Sequence, residues 1–229
     1  MFVARRVIEK GRGVLLIDNF LDRETAERLR KKILDTPFLA GGATATGRAA
    51  KVKNNLQMDR ERGRKILDDV ALRLMTHEQV ELYAIPKRIA AMSVNRYDAG
   101  MEYGSHTDAP IMNDCRCDLS FTLFLEDHVN YEGGELVLEQ EHGLLKVKPA
   151  IGSLFLYSTG LIHRVTPVAS GSRLACIGWI QSRVRDEQQR TILRELNIAH
   201  RAYVERHGHD ELVDMLLKNS ANLMRMWCD

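Results

Sequence analysis

The sequence predicts an α+β fold: a double-sheet jelly roll or a barrel, with helical segments before and after it. Three observations carry this. Between Pro86 and about Ser182 the chain is a succession of short β-like runs cut by turn residues, with no long helix between them. On both sides of that zone, apolar residues recur at helical spacing. A chain of 229 residues also suits one hydrophobic core with an appendage better than two full domains. The expected organisation is an N-terminal helical region over 1–85 packing on the core, a jelly-roll domain over 86–182, and a C-terminal helical region over 183–229.

In chain order, Asp22 is an acceptable helix cap, and Ala26, Leu29, Ile33 and Leu34 follow it at helical spacing. A polar, glycine-rich loop runs from Ala40 to Gly47. A second helix begins near Arg60 and directs Ile66, Leu67, Val70, Leu72 and Leu74 toward the core. After Pro86 the strand-like runs are Arg88–Tyr97, Asp118–Glu126, Gly134–Glu139, Leu144–Val147, Ser153–Tyr157 and Leu174–Gln181. Glu132–Glu135 and Ser170–Ser172 supply turn chemistry between them. Past Arg183, two helical segments carry Leu193, Leu196 and Ile198, then Leu212, Met215, Leu216, Leu223 and Met226. His207-Gly208-His209 reads as the turn between those segments. The C-terminal helices have two candidate roles, packing on the barrel of the same subunit or forming a homo-oligomer contact, and Trp227 suits either.

Composition excludes several classes of function. The net charge is +2, with basic and acidic residues interspersed, so there is no electrostatic footprint for nucleic acid. The basic run Arg28–Lys32 sits on a helical pattern and reads as a solvated face. No apolar stretch approaches a membrane span, and Met1–Arg6 lacks the features of a secretory signal. Four cysteines in a chain of this length are not a disulfide framework, and Cys115-Arg116-Cys117 has no matching second half of a zinc site. The expectation is a cytoplasmic protein with reduced thiols, binding neither membrane nor nucleic acid.

Four residues carry the chemistry: His106 and Asp108, then His163 and Arg173 far downstream. Two histidines and one carboxylate form the ligand set of a non-haem Fe(II) centre with open coordination positions. An arginine near such a centre can hold the remote carboxylate of a dicarboxylic acid as a two-pronged ion pair. Together they point to an oxygenase using 2-oxoglutarate. Singly, each has an ordinary reading: a surface ion pair, a satisfied core histidine, an exposed arginine. On a strand His106 and Asp108 would project from one face, with His163 supplied by the opposite wall. Pro167–Ser172 reads as a hairpin turn, which would make His163 and Arg173 cross-strand neighbours. The other histidines keep structural readings.

Beyond these four, Asn95–Tyr97 and Tyr103–Asp108 resemble the metal-binding segment of the prolyl 4-hydroxylase-like Fe(II)/2-oxoglutarate-dependent dioxygenases. Asp118–Ser120, Thr122–Leu125, Tyr131–Val137, His163–Val168 and Trp179–Ser182 extend the match, as do Arg185-Asp186 and Val52–Asp59. Together these are similar to the bacterial PKHD-type hydroxylases, a group often associated with iron uptake, and the likeness spans nearly the whole chain. The resemblance implies a double-stranded β-helix (jelly-roll) core with flanking N-terminal and C-terminal helices, the core being the Fe(II)/2-oxoglutarate dioxygenase domain. It assigns His106, Asp108 and His163 as metal ligands and Arg173 as the 2-oxoglutarate anchor. Tyr97 is similar to a tyrosine lining the co-substrate pocket; its other reading is a strand-end aromatic of the core. In one respect the chain departs from animal prolyl hydroxylases, whose strand after the metal-binding turn carries a tyrosine that assists the arginine. The run Ser120–Glu126 has none, and Ser120, Thr122 and Tyr97 are the candidate hydroxyls in its place.

The expected reaction hydroxylates a C–H bond of a small-molecule or peptidyl substrate, coupled to decarboxylation of 2-oxoglutarate to succinate and CO2. The cofactors expected are Fe(2+), 2-oxoglutarate, O2 and, as in relatives, L-ascorbate. Two rivals use the same ligands: a zinc hydrolase, which leaves Arg173 unexplained, and a non-catalytic barrel that senses iron or 2-oxoglutarate. Tyr103, Ser105, Met112 and Asn113 are expected to border the mouth of the site.

Overall fold

A computed structural model describes residues 7–8, 13–44 and 51–229. The readings made on Met1–Arg6 and on residues 45–47 of the glycine-rich loop lie outside them. The first part of the chain holds β1 (Val7–Ile8), β2 (Val14–Ile17), α1 (Arg23–Leu34), β3 (Phe38–Ala40), β4 (Lys53–Asn54), β5 (Leu56–Met58), α2 (Arg64–Met75) and α3 (Glu78–Ala84). Strands dominate the middle: β6 (Pro86–Asp98), β7 (Glu102–His106), β8 (Ile111–Met112), β9 (Cys115–Arg116), β10 (Leu119–Phe124) and β11 (Tyr131–Gly133) come first. They are followed by β12 (Leu136–Gln140), β13 (Gly143–Val147), β14 (Leu154–Ser158), β15 (His163–Val165) and β16 (Val168–Ser182). Two helices, α4 (Glu187–His207) and α5 (Glu211–Trp227), follow the last strand.

The strands form two antiparallel sheets. The main one runs β1-β2-β14-β10-β16-β6-β5-β3, with β11 branching from β16; the second runs β13-β12-β15-β7-β4. A short β8–β9 hairpin stands apart. Alternate residues of the main sheet go to different cores. Leu15, Ile17, Leu119, Phe121, Leu123, Leu154 and Leu156 pack outward against Ala26, Leu29 and Ile33 of α1 and Leu67, Val70 and Leu74 of α2. Val14, Leu16, Phe124, Phe155 and Tyr157 point inward and meet Leu136, Leu138 and Val147 of the second sheet. Both faces of β10 are therefore covered, and each of its six residues is buried. Burying each of its large apolar side chains stabilises the fold by roughly 1.5–3 kcal/mol.

Helix α1 starts where the cap predicts, with Asp22 accepting the Thr25 N–H at 2.8 Å. Two leucines of these helical patterns, Leu34 and the core-directed Leu72, stay outside the core. Leu34 is 40% exposed and Leu72 is 64% exposed, because each lies beside or opposite the stripe set by its buried neighbours. The segment before Pro86 also supplies strands as well as helices. In particular β2 extends the main sheet beside β14, and β4 forms an edge of the second sheet. Val14–Ile17 is buried at all four positions, so it shows no alternation to read. After β16, α4 ends at Gly208, whose φ of +76° suits the turn predicted there.

The predicted hairpin between His163 and Arg173 does not form. β15 pairs with β12 and β7 in the second sheet, whereas β16 pairs with β10 and β6 in the main sheet. Thr166-Pro167 is a corner at which the chain changes sheets. The glycine pair after Glu132 locks that corner: Gly134 N–H donates to the Pro167 carbonyl at 3.2 Å, and Thr166 N–H donates to the Glu135 carbonyl at 3.0 Å. Gly133 adopts a φ of +70°, and a Cβ there would collide with the Pro167 carbonyl oxygen.

Candidate metal centre and co-substrate pocket

The sheet switch places the four singled-out residues on opposite walls of one cavity. His106 ends β7 and His163 begins β15; the two are paired in register on neighbouring strands of the second sheet. The expectation that His163 comes from the wall opposite His106 is therefore corrected. Asp108 lies just past the end of β7 rather than on it. Arg173 is the residue on the opposite wall, in β16, directly across from Tyr97 of β6. Cross-strand pairing in two different sheets does what the hairpin reading assigned to one.

His106 Nε2 is 3.7 Å from Asp108 Oδ1, and His163 Nε2 is 3.6 Å from Asp108 Oδ2. One ligand atom from each of the three residues lies within 4.8 Å of the other two. Bonds of roughly 2.1 Å to one ion would set such atoms about 3.0–3.4 Å apart, so a small side-chain rotation completes the set. Both Nδ1 atoms face backbone carbonyls, His106 to Gly104 at 2.8 Å and His163 to Leu161 at 3.0 Å. A carbonyl only accepts, so each Nδ1 carries the proton and each Nε2 presents its lone pair to the centre. Burial, reinforced by the neighbouring His163, pushes the His106 imidazole down to about 4. It is therefore neutral and ready to ligate at physiological pH. The Tyr103 ring stacks on His106 at 3.7 Å between centroids and fixes its plane. Ser120 of β10 donates to Asp108 Oδ2 at 2.8 Å, tying the carboxylate across to the main sheet.

Arg173 is 1% exposed. Its guanidinium carbon lies 5.3 Å from the centre of the Tyr97 ring and 5.5 Å from that of Phe124. Its Nε and Nη1 have no hydrogen-bond partner among the described residues. A buried cation with unused donors calls for an anion. Tyr97, 2% exposed, packs as a core aromatic and also lines the cavity beside Arg173. Burial raises its hydroxyl pKa. The cavity measures about 740 Å³ and holds the three candidate ligands, Arg173 and Tyr97 in its lining.

Of the residues expected at the mouth, Tyr103, Met112 and Asn113 line the cavity, while Ser105 is exposed and does not. Ser120 is placed on the carboxylate ligand, and Thr122 lines the cavity. Sequence reasoning missed Tyr157, whose ring meets His163 edge-on at 5.2 Å, and Lys53, which lies over Tyr103 at 5.6 Å. The alternation of Phe155 and Tyr157 with buried leucines was the available signal for the first. For Lys53 there was none, since its strand is two residues long.

A jelly roll presenting two histidines, a carboxylate and a buried arginine to one cavity is the architecture of the non-haem Fe(II), 2-oxoglutarate-using oxygenases. The family model of the 2OG-Fe(II) oxygenase superfamily matches residues 92–181. A PKHD-type hydroxylase of Maricaulis maris (strain MCS10) is 40% identical over 207 residues, 90% of this chain and 94% of the relative. Among solved structures, a Pseudomonas putida prolyl-4-hydroxylase superposes with a TM-score of 0.55 at 20% identity, covering 75% of this chain and 94% of that one. HygX from Streptomyces hygroscopicus, with nickel and 2-oxoglutarate bound, gives a TM-score of 0.58 at 14% identity, over 75% of this chain and 83% of HygX. The chain belongs to the PKHD-type hydroxylases, within the 2-oxoglutarate-dependent dioxygenases. Its cofactors are those of that superfamily, Fe(2+), 2-oxoglutarate and O2. No helix among the described residues is long and apolar enough to cross a membrane.

Proposed function

We propose that His106, Asp108 and His163 hold the Fe(II), and that Arg173 pairs with the distal carboxylate of 2-oxoglutarate while Tyr97 flanks its guanidinium. The enzyme then hydroxylates an unactivated C–H bond of a small-molecule or peptidyl substrate. One observation carries the reading: an arginine almost wholly buried, with donors unused, in the cavity that holds the ligand triad. Bound iron, 2-oxoglutarate and oxygen supply the oxidant, with succinate and CO2 as co-products. The chain's own part is placement. The two Nδ1–carbonyl bonds aim the imidazoles, Ser120 orients the carboxylate, and Arg173 sets the direction of the diacid. Tyr97, Phe124 and Tyr157 keep the inner end of the cavity dry, which strengthens the ion pair there. The core of the dioxygenase domain is 86–182, its two sheets completed by β1–β5 of the preceding segment, with the helices on either side as supports, and the protein acts in the cytoplasm.

Anaerobic addition of Fe(II) and 2-oxoglutarate tests this. A weak visible charge-transfer band is expected, followed by succinate release when oxygen is admitted. Asp108→Ala should lose both. Succinate production intact in that variant would remove the assignment.

A further inference from the structure

Helix α5 carries more apolar surface than the described residues cover. It packs along α4, yet of its large apolar side chains Val213 alone is buried. Leu216, Leu223 and Met224 are half-buried and lie on the same side of the helix as Val213. The neighbouring side is bare. Leu212, Met215, Asn219, Asn222 and Met226 are all exposed and recur at alternating steps of three and four residues, the spacing of a coiled-coil seam. Leu212 is 55% exposed, Met215 53% and Met226 74%. Single apolar side chains on a surface are ordinary; a row of them along one line of a helix marks a contact face.

The make-up of the stripe selects its partner. Asn219 and Asn222 interrupt it near mid-helix, and Asn222 Oδ1 accepts from Arg225 at 2.9 Å. An apolar groove or a lipid surface would strip these amides of water and return no hydrogen bonds. A second copy of the helix returns the same amides, each both donor and acceptor. Charge sets the direction. The first turn is acidic, with Glu211 and Asp214, and the last turn holds Arg225. Parallel copies would set acid against acid and base against base. Antiparallel copies set each acidic end against the other's basic end and oppose the helix dipoles.

We propose that this stripe is a self-association surface: α5 of one copy packs antiparallel on α5 of a second copy, about a two-fold axis near mid-helix. The 17 residues of α5 make a helix about 26 Å long. One pair of such helices buries less than the roughly 800 Å² per partner of a standard interface. The dimer is therefore reversible, with a dissociation constant on the order of 10 µM. It does not depend on the iron and 2-oxoglutarate reading.

Sedimentation velocity on the full chain, from about 1 to about 200 µM, is the test, and a shift from monomer to dimer across that range is expected. Met215→Lys and Met226→Lys should each weaken the dimer at least about tenfold by placing a charge in the seam. Their melting temperatures at the lowest concentration should match that of the unmodified protein, since both side chains are exposed in the monomer. Arg225→Glu, and Glu211→Lys combined with Asp214→Lys, should each weaken self-association about tenfold by setting like charges at both ends. An equimolar mixture of those two variants should regain the dimer, because each then meets its opposite. A dimer that survives both methionine variants lies elsewhere on the molecule and overturns the proposal. Charge variants that dimerise as the unmodified protein does, or a mixture that stays monomeric, overturn the antiparallel pairing. An unmodified protein that remains monomeric throughout overturns it as well; if that monomer co-sediments with phosphatidylcholine vesicles, the stripe is a lipid-docking face instead.

Discussion

At the scale of single residues, the site separates groups that create binding from groups that only hold them. Arg173 is of the first kind. Its burial without a full set of partners is a cost carried by the ligand-free protein. Arg173→Met should therefore leave the melting temperature of that state unchanged or higher, while raising the KM for 2-oxoglutarate by about 100-fold, the worth of two charge-assisted hydrogen bonds. A melting temperature that falls along with the rise in KM would show that the arginine is structural. Ser120 is of the second kind: it lines the cavity, and its hydroxyl is tied to Asp108. Ser120→Ala is expected to weaken metal affinity about 10–100-fold with little change in the KM for 2-oxoglutarate; metal titration against the co-substrate KM separates the two effects. His106 adds a pH dependence. Its folded pKa is depressed to about 4, so between about 4 and the ordinary imidazole value near 6.5 the unfolded chain binds more protons than the folded one. Stability contributed by the neutral ring is present above that window and is lost as pH falls through it. Denaturant unfolding of metal-free protein should show this slope, and His106→Gln should flatten it.

At the scale of elements, the decisive device is the corner between β15 and β16. It determines that His163 stands in one sheet and Arg173 in the other, so the metal centre and the anion anchor face each other across the cavity. The corner is held by Gly133-Gly134-Glu135, through the bonds to Pro167 and Thr166 and the Glu135 contact to the Thr166 hydroxyl. Gly133→Ala meets both a positive φ and a collision with backbone. It should destabilise the protein by about 2 kcal/mol or more, and the refolded fraction should show weakened binding of metal and of 2-oxoglutarate together. A change confined to one ligand would mean that the corner does not couple the two walls. Asp22 makes a useful contrast, since it caps α1 on the outer face of the main sheet. Asp22→Ala should cost about 1 kcal/mol of stability and leave both affinities alone.

At the scale of the whole molecule, what was legible in the sequence follows the range of the interactions involved. The runs over β6, β10, β12, β13, β14 and β16, and the helices after Arg183, are local patterns and could be read with modest errors at their ends. The four residues His106, Asp108, His163 and Arg173 were legible by chemical type, and the fold does gather them in one cavity. Their arrangement was not legible. Sheet partners are set by contacts far apart in sequence, and Pro167–Ser172 looks like a hairpin turn unless the second sheet is known. Short strands such as β2 and β4 carry too few residues for a period to show. The same reach across the chain decides where its last helix sits, and Arg116 is the residue to test. Its guanidinium donates to Asp118 Oδ1 at 2.7 Å, to the Ser182 carbonyl at 3.0 Å and to Asp229 Oδ2 at 2.6 Å. It therefore joins the β8–β9 hairpin, the start of β10, the end of β16 and Asp229, two residues past α5, next to Cys228, which bridges to Val184. Asp118 keeps only 7% of its side chain exposed, so removing the arginine strands a carboxylate that retains one other bond, from Ser182 N–H. Arg116→Met should lower stability by about 1–3 kcal/mol and speed hydrogen exchange along α5 before it does so in β10. Metal binding should persist, because His106, Asp108 and His163 draw no support from Arg116. Uniform exchange across the molecule would instead mean that α5 unfolds only with the jelly roll.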